Sequence, residues 1–343
     1  VALANGAVDR PRAAIFLPIL AWVGVSILSA LTSQNPLRSV AGLADLLTLV
    51  LVPMTVSLVD VRRWQRLLAL LAVVATVSAT VGLAQYARGA STLEHRLHGV
   101  ATQYMTFAGW TLIVILLLLA DMVFGRGRRR LAWTLPASAL CSAALILGLT
   151  RGAWIGLAAG IGLTVAIVRP RLLILTPMAA ATLILVLPSV VIERAASTFD
   201  TGQPSVRERI GMLHTGLAMV RDHPILGLGP EMVQPAYPTY RTGSAPRRTP
   251  PHLHNNLVQI AAERGLAGVA AYLAIIVVFT VQAVRALRDR SLTARAAIAG
   301  CLLAVTGVTV AGLFEYSWGD AEVWFLTLTC LATPFALSPA APT

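Results

Sequence analysis

Apolar runs long enough to cross a bilayer follow one another along this chain, separated by short charged breaks. The hydrocarbon core of a membrane takes about 20 mostly apolar residues as a helix. Ten stretches approach that length, at 13–31, 39–59, 66–86, 104–124, 132–150, 153–168, 171–190, 262–283, 294–314 and 321–337. The pattern predicts an all-α polytopic membrane protein. Gly and Pro inside several spans would be poor choices in water, but membrane helices tolerate them. One long polar stretch, 191–261, breaks the rhythm and exceeds the usual length of a structureless connection. Within it, Ile210, Leu213, Leu217 and Val220 recur at helical spacing and predict an amphipathic helix over 205–221. The run Pro224-Ile225-Leu226-Gly227-Leu228-Gly229-Pro230 stops that helix, with Gly227 and Gly229 as turn residues. A loop rich in Pro and Arg, 235–251, leads to a second helix beginning near His254. The chain therefore reads as a single membrane domain over 1–343, with 191–261 inserted between spans as a lid. It opens on Val1, with Asp9-Arg10-Pro11-Arg12 before the first span, so a preceding segment with further spans is expected.

Composition narrows the class further. Residues are 57% hydrophobic and 12% charged, against roughly 25% charged in an ordinary soluble domain. That excludes a soluble secreted or nuclear protein and a typical cytosolic enzyme. The net charge is +12, and all 27 basic residues are Arg. In a soluble chain such an excess would mark nucleic-acid binding; here no nucleic-acid partner is expected, because the excess is topological. Alternate connections fall into two sets, one with 15 arginines against four acidic residues and the other with 12 against ten, leaving Asp45 inside a span. The positive-inside rule assigns the first set to the cytoplasm. The lid then lies on the extracytoplasmic side, with membrane lipids as surroundings. Cys141, Cys301 and Cys330 all lie in apolar runs and indicate no disulfide framework.

Candidate chemistry gathers on the arginine-poor side. Arg151 stands where two spans meet with almost no loop, beside Gly152, which would fix its direction. It is either a guanidinium snorkelling to headgroups or a planar fork matched to phosphate oxygens. Arg207 and Arg209 open the lid helix about 200° apart, so one of them faces inward; the periodicity favours Arg209 and keeps Arg207 as a secondary substrate-binding candidate. His254, at the mouth of the returning helix with Asn255 beside it, can titrate near neutral pH and accept a proton from a hydroxyl nucleophile. Otherwise it is a capping or hydrogen-bonded polar residue. His252 completes a His-x-His pair, but no third ligand lies at convincing spacing, Glu263 being nine residues from His254, so no metal is expected. Glu315, Asp320 and Glu322 lie among Tyr316, Trp318 and Trp324, a mixture suited to sugar hydroxyls and faces and equally to an interfacial aromatic belt. Glu263-Arg264-Gly265-Leu266-Ala267-Gly268 reads as structural, its small residues allowing close helix packing. Asp45 is an intramembrane carboxylate without an assigned partner. His95 and His98, in a short loop with Arg96, are weaker candidates for the same pocket.

Four stretches resemble the bacterial O-antigen ligase and polymerase superfamily. They are Leu28-Ser29-Ala30 through Asn35-Pro36-Leu37-Arg38-Ser39; Thr150-Arg151-Gly152-Ala153-Trp154; Asp222-His223-Pro224 through Gly229 after the Arg209 helix; and His254-Asn255 followed by Gly265 and Gly268. The resemblance implies a membrane glycosyltransferase of the GT-C kind. Its donor would be a glycan on undecaprenyl diphosphate and its acceptor a lipid A-core sugar, joined at the periplasmic face with inversion and without metal, nucleotide sugar or other cofactor. Carried over, Arg151 and Arg209 would hold the diphosphate and stabilise the leaving group, and His254 would deprotonate the acceptor. Arg207, Asn255, His252, Glu315 and Asp320 would line the substrate site. Thr150 stands where the family often has Ser and keeps the hydroxyl. The lid is short for a ligase. A polymerase joining two undecaprenyl-diphosphate-linked units, or a protein O-oligosaccharyltransferase, would share the donor site. A transporter would need charges along a central path, whereas here they concentrate at one face.

Overall fold

The computed structural model describes residues 13–89, 96–125, 128–175, 187–198, 200, 202–241, 249–288 and 294–337. Helices form along most of the apolar runs. They are α1 (Phe16–Leu31), α2 (Pro36–Ala41), α3 (Leu51–Leu58), α4 (Val61–Ala87), α5 (Tyr104–Phe124), α6 (Arg128–Leu147) and α7 (Arg151–Val168), then the lid helices α8 (Ser189–Ala196), α9 (Pro204–Asp222) and α10 (Val233–Tyr240), and finally α11 (Asn256–Arg288), α12 (Arg295–Ala311) and α13 (Ala321–Ala336). No β-sheet occurs among the described residues.

Six helical segments are long and apolar enough to cross a membrane, and α1, α12 and α13 are shorter apolar helices. The ten expected spans are thus not established as ten. The stretch 171–190 begins as a short 3₁₀ turn, Pro170–Leu175, and most of it lies outside the described residues. The stretch 39–59 is not one regular α-helix either. A 3₁₀ segment, Gly42–Val50, separates α2 from α3 and carries Asp45 on its exposed side.

The bundle centres on α5 and α12. α5 is apolar around most of its circumference and buried from Thr111 through Leu118, as expected of a helix enclosed by others. α12 packs on both α5 and α7, α1 lies along α11, and α3 lies along α13. On α4 the exposed large residues Leu70, Val73, Val77 and Val81 form a helical stripe facing outward, an apolar surface that suits lipid and not water. Gly152 lets α7 approach α12, where an added Cβ would stand 3.4 Å from the Ala311 carbonyl oxygen.

The lid is fastened by backbone. α11 breaks at Gly265, which adopts φ 64° inside an otherwise helical run. The turn 224–229 fills the break: Leu228 N–H donates to Ala262 O (2.8 Å), Gly229 N–H to Glu263 O (2.9 Å), and Leu266 N–H to Pro224 O (2.8 Å). Gly227 and Gly229 also have positive φ. A Cβ on Gly227 would run into the Glu263 backbone, and one on Gly265 into the Ile225 carbonyl. Gly268 differs from its expected role of packing helix on helix: the nearest obstacle to a side chain there is Arg264, one turn earlier on the same broken helix. The α1–α2 corner completes the clasp, with Ser29 Oγ donating to Glu263 O (2.7 Å), Ser39 Oγ to Pro230 O (2.9 Å) and Arg38 Nε to Glu231 O (3.0 Å).

The Gly265→Ala variant should lose at least about 2 kcal/mol of stability, from the left-handed backbone and the overlap with Ile225 together. Gly162→Ala, where an added Cβ meets nothing within 4 Å, should lose none. Thermal unfolding of both variants in one detergent checks the contrast.

Candidate active site

Glu315 lies in the turn between α12 and α13 and joins two lid elements. Its Oε1 accepts from His254 Nδ1 at 2.5 Å, and its Oε2 accepts from Arg209 Nη2 at 3.2 Å. Burial would push this carboxyl up, but the His254 hydrogen bond and the charges of His254, Arg209 and His252 outweigh it and hold the carboxyl below its ordinary value. Two asparagines set the approach. Asn255 caps α11 by accepting from Val258 N–H (3.0 Å) and donates from Nδ2 to Leu313 O (2.8 Å). Buried Asn256 donates its N–H to Gly312 O (2.7 Å), and its amide reaches Ser317 and Trp318. The turn is therefore tied on both sides of Glu315. His254 itself adopts φ 51°, a left-handed conformation uncommon for a side chain of this size.

A second feature is the convergence of arginines. Arg151 is buried and donates from Nη1 to Ser197 O (2.9 Å). Arg194, also buried, donates from Nε to Leu149 O (3.4 Å) while its Nη1 finds no partner among the described residues. Burial first, and then the charges of Arg151, Arg96 and Arg209, bring the Arg194 guanidinium down to about 10. Arg96 stacks over the Tyr104 ring at 4.4 Å and is lowered mainly by its own burial. Four cations thus crowd one region with Glu315 as a facing acid. Guanidinium groups held this close are suited to a multiply charged anion such as a diphosphate.

Two cavities lie on either side of the His254–Glu315 pair. One, of about 350 Å³, is walled by Ile155, Ile210, Leu213, Leu313 and Phe314 and carries Arg151, Arg209 and His254. The other, of about 480 Å³, has a mixed lining, with Glu231, His252, Glu315, Asp320 and Glu322 beside apolar Met105, Leu112, Val308 and Val323. Asp320 caps α13 through Val323 N–H and accepts from Thr106 Oγ1 (2.5 Å). Its burial pushes its carboxyl up, against the lowering effect of Thr106. Glu263 lies deeper, paired with Arg264 at 2.6 Å, and Arg264 in turn reaches Ser26 and the Trp22 ring. That pair pins α11 to α1.

Of the residues singled out in the sequence, Arg151, Arg209, His252, His254, Asn255, Glu315 and Asp320 are gathered at this one end of the bundle. Arg207 points outward and is exposed. His98 is turned to its own loop, with Nδ1 against Ala101 O (2.8 Å), and His95 lies outside the described residues. Two expectations change. Of the stripe Ile210, Leu213, Leu217 and Val220, the first three are exposed and only Val220 lies against the packed face of α9. That face is Gly211, Met212, Thr215, Gly216 and Met219, and Ile210 and Leu213 instead wall the smaller cavity. The absence of a third ligand for His252 and His254 does not hold either: Glu315 brings a carboxylate to within 4.8 Å of both histidines' donor atoms. Arg194 gave no signal in the sequence, because α8 looks like any short amphipathic segment.

Fold and site together define an all-α polytopic membrane protein. A family model described as O-antigen ligase matches residues 136–273, a stretch that holds Arg151, Arg194, Arg209 and His254 and stops short of Glu315. Among solved structures, a chain reported under the description "Structural coordination of polymerization and crosslinking by a peptidoglycan synthase complex" shares the fold. Its TM-score is 0.54 at 17% identity, over 94% of this chain and 96% of that chain. No match was found among curated proteins.

Pyrophosphate should raise the unfolding midpoint of the wild-type protein, by the equivalent of about 2.7 kcal/mol at a hundred times its dissociation constant. Arg194→Met should retain the fold and lose most of that gain, whereas Arg207→Ala should keep it. Melting curves with and without the anion test this.

Proposed function

We propose that this protein is a glycosyltransferase that joins glycan units carried on undecaprenyl diphosphate, acting as a polymerase at the arginine-poor, periplasmic face of the bacterial inner membrane. One observation carries the reading: an apolar cavity bearing arginines and a cavity of mixed lining bearing carboxylates flank a single His–Glu pair. A lipid-linked diphosphate has the chemistry of the first, an apolar tail behind a concentrated anion. A sugar acceptor has the chemistry of the second, since its hydroxyls donate to carboxylates. The second cavity also has apolar walls, among them Met105, Leu112, Val308 and Val323, which suit a lipid carrier on the acceptor as well as on the donor. The fold shared with a chain described in terms of polymerization points the same way.

The residues take definite parts in this reading. Glu315 accepts the Nδ1–H of His254, which leaves the Nε2 lone pair free. His254 Nε2 takes the proton of the acceptor hydroxyl as its oxygen bonds to the anomeric carbon. The bond from that carbon to the diphosphate oxygen breaks, and undecaprenyl diphosphate leaves with the electron pair. Arg151 and Arg209, with Arg96 and Arg194 behind them, stabilise the charge that grows on the leaving group. A single displacement of this kind inverts the anomeric centre. Asn255 holds the turn that presents Glu315, and Asp320 orients the acceptor.

The match to the O-antigen ligase family model favours a second reading, transfer to a lipid A-core sugar, which uses the same donor site. Acceptor choice separates the two. Purified protein incubated with undecaprenyl-diphosphate-linked glycan alone should yield elongated lipid-linked chains. Product formed only when lipid A-core is added would establish the ligase instead. His254→Ala should lower the rate by about 10² to 10⁴ while leaving donor binding nearly unchanged. Full activity in both His254→Ala and Arg151→Ala would overturn the mechanism.

A further inference from the structure

His252 takes no step in the proposed transfer, yet it stands against the residue that does. The rings of His252 and His254 meet edge to face with centroids 4.4 Å apart. With Glu315 they offer two imidazole nitrogens and a carboxylate oxygen, all within 4.8 Å of one another. We propose that His252, His254 and Glu315 form a binding site for a divalent transition metal ion of the zinc class, and that an ion bound there blocks transfer.

The donor set and its surroundings select this class of ion. Two imidazoles and one carboxylate hold Zn²⁺ with three protein ligands and leave a fourth position open. Here that position faces the larger cavity, which both His252 and Glu315 line. Ligand bonds of about 2.0–2.2 Å place tetrahedral donors about 3.3 Å apart. The three side chains therefore need modest shifts, with the 2.5 Å contact between His254 Nδ1 and Glu315 Oε1 opening to admit the ion. Arg209 holds the other carboxylate oxygen at 3.2 Å, as outer partners orient a ligating carboxylate. The nearby arginines repel an ion held by charge alone, so hard oxygen-seeking Mg²⁺ and Ca²⁺ are disfavoured, whereas imidazole nitrogen suits Zn²⁺, Cu²⁺ and Ni²⁺. An imidazole ligating through Nδ1 keeps its proton on Nε2 and has no lone pair left for an acceptor hydroxyl. The blocking effect rests on the proposed role of His254; the binding of the ion does not.

The full chain, purified in detergent and stripped with a chelator, is titrated with Co²⁺ and then Zn²⁺. One equivalent of Co²⁺ should bind with the visible absorption of a four-coordinate ion, be displaced by Zn²⁺ and resist a large excess of Mg²⁺. His252→Ala and Glu315→Gln should each weaken Zn²⁺ binding by about tenfold or more, with metal-free unfolding midpoints reporting whether each variant is folded. X-ray absorption on the zinc-loaded wild type, which needs no variant, should show two imidazole ligands. Absence of stoichiometric binding by the wild type, fewer than two imidazoles on the ion, or unchanged affinity in both folded variants would overturn the site. In the glycan assay, Zn²⁺ should abolish transfer and chelator restore it; an ion that binds without inhibiting would overturn the block. A wild type with no transfer activity in either assay would remove the glycosyltransferase reading, and the metal titration would still decide the site.

Discussion

A helix that breaks inside a membrane bundle leaves peptide groups that lipid cannot satisfy, and the organisation of the site follows from how α11 meets that constraint. Its break at Gly265 exposes backbone around Ala262, Glu263 and Leu266, and the turn 224–229 supplies partners to all three. Non-helical backbone at such a place is tolerated only when protein encloses it. The lid is therefore a structural part of the bundle, held by main-chain hydrogen bonds that have no substitute. Gly227 and Gly265 are required because the two segments pass too close for a side chain between them, and Gly229 because Ser33 and Ser39 at the α1–α2 corner fill the space a side chain would need. Once the turn is locked, α9 is fixed on one side of it and the segment leading to His254 is fixed on the other.

Charge is distributed with the same economy. Glu315 is buried and ionised because His254 and Arg209 flank it, and it sets the orientation of both. Around it, Arg96, Arg151 and Arg194 are brought together at a cost in desolvation and mutual repulsion. Such an arrangement gains stability when an anion enters, so its folded state is prepared for a ligand that the fold itself does not supply. The carboxylates of the larger cavity lie on the other side of the same pair. The two substrates of a glycan transfer differ in just this way, one carrying a diphosphate and the other offering a hydroxyl.

Much of this was legible in residue order. Apolar runs located the helices, since burial in lipid demands length and apolarity of any spanning segment. Arg151, Arg209 and His254 stood out because a charged or titratable residue at the edge of an apolar run is costly and calls for a reason. The orientation of α9 was not legible. In water its stripe of Ile210, Leu213 and Leu217 would mark the packed face, but beside a membrane apolar side chains can face lipid or a lipid-binding cavity equally well. Close packing there falls to small residues, and Gly211, Thr215 and Gly216 form the buried side.

The sequence by itself determined the class of protein, the approximate position of its helices, the single polar insertion and the residues from which a site at one end of the bundle is proposed. Each of these follows from local composition and period, which any window of the chain displays. The tertiary structure decided which residues meet. Glu315 lies 61 residues from His254 and 106 from Arg209, and Arg194 comes from a short helix with no distinguishing pattern. Long-range pairing depends on how the broken helix and its clasp direct the chain. No local signal encodes that, so the carboxylate that pairs with His254 and lies near His252, and the crowding of four arginines, emerged only in three dimensions.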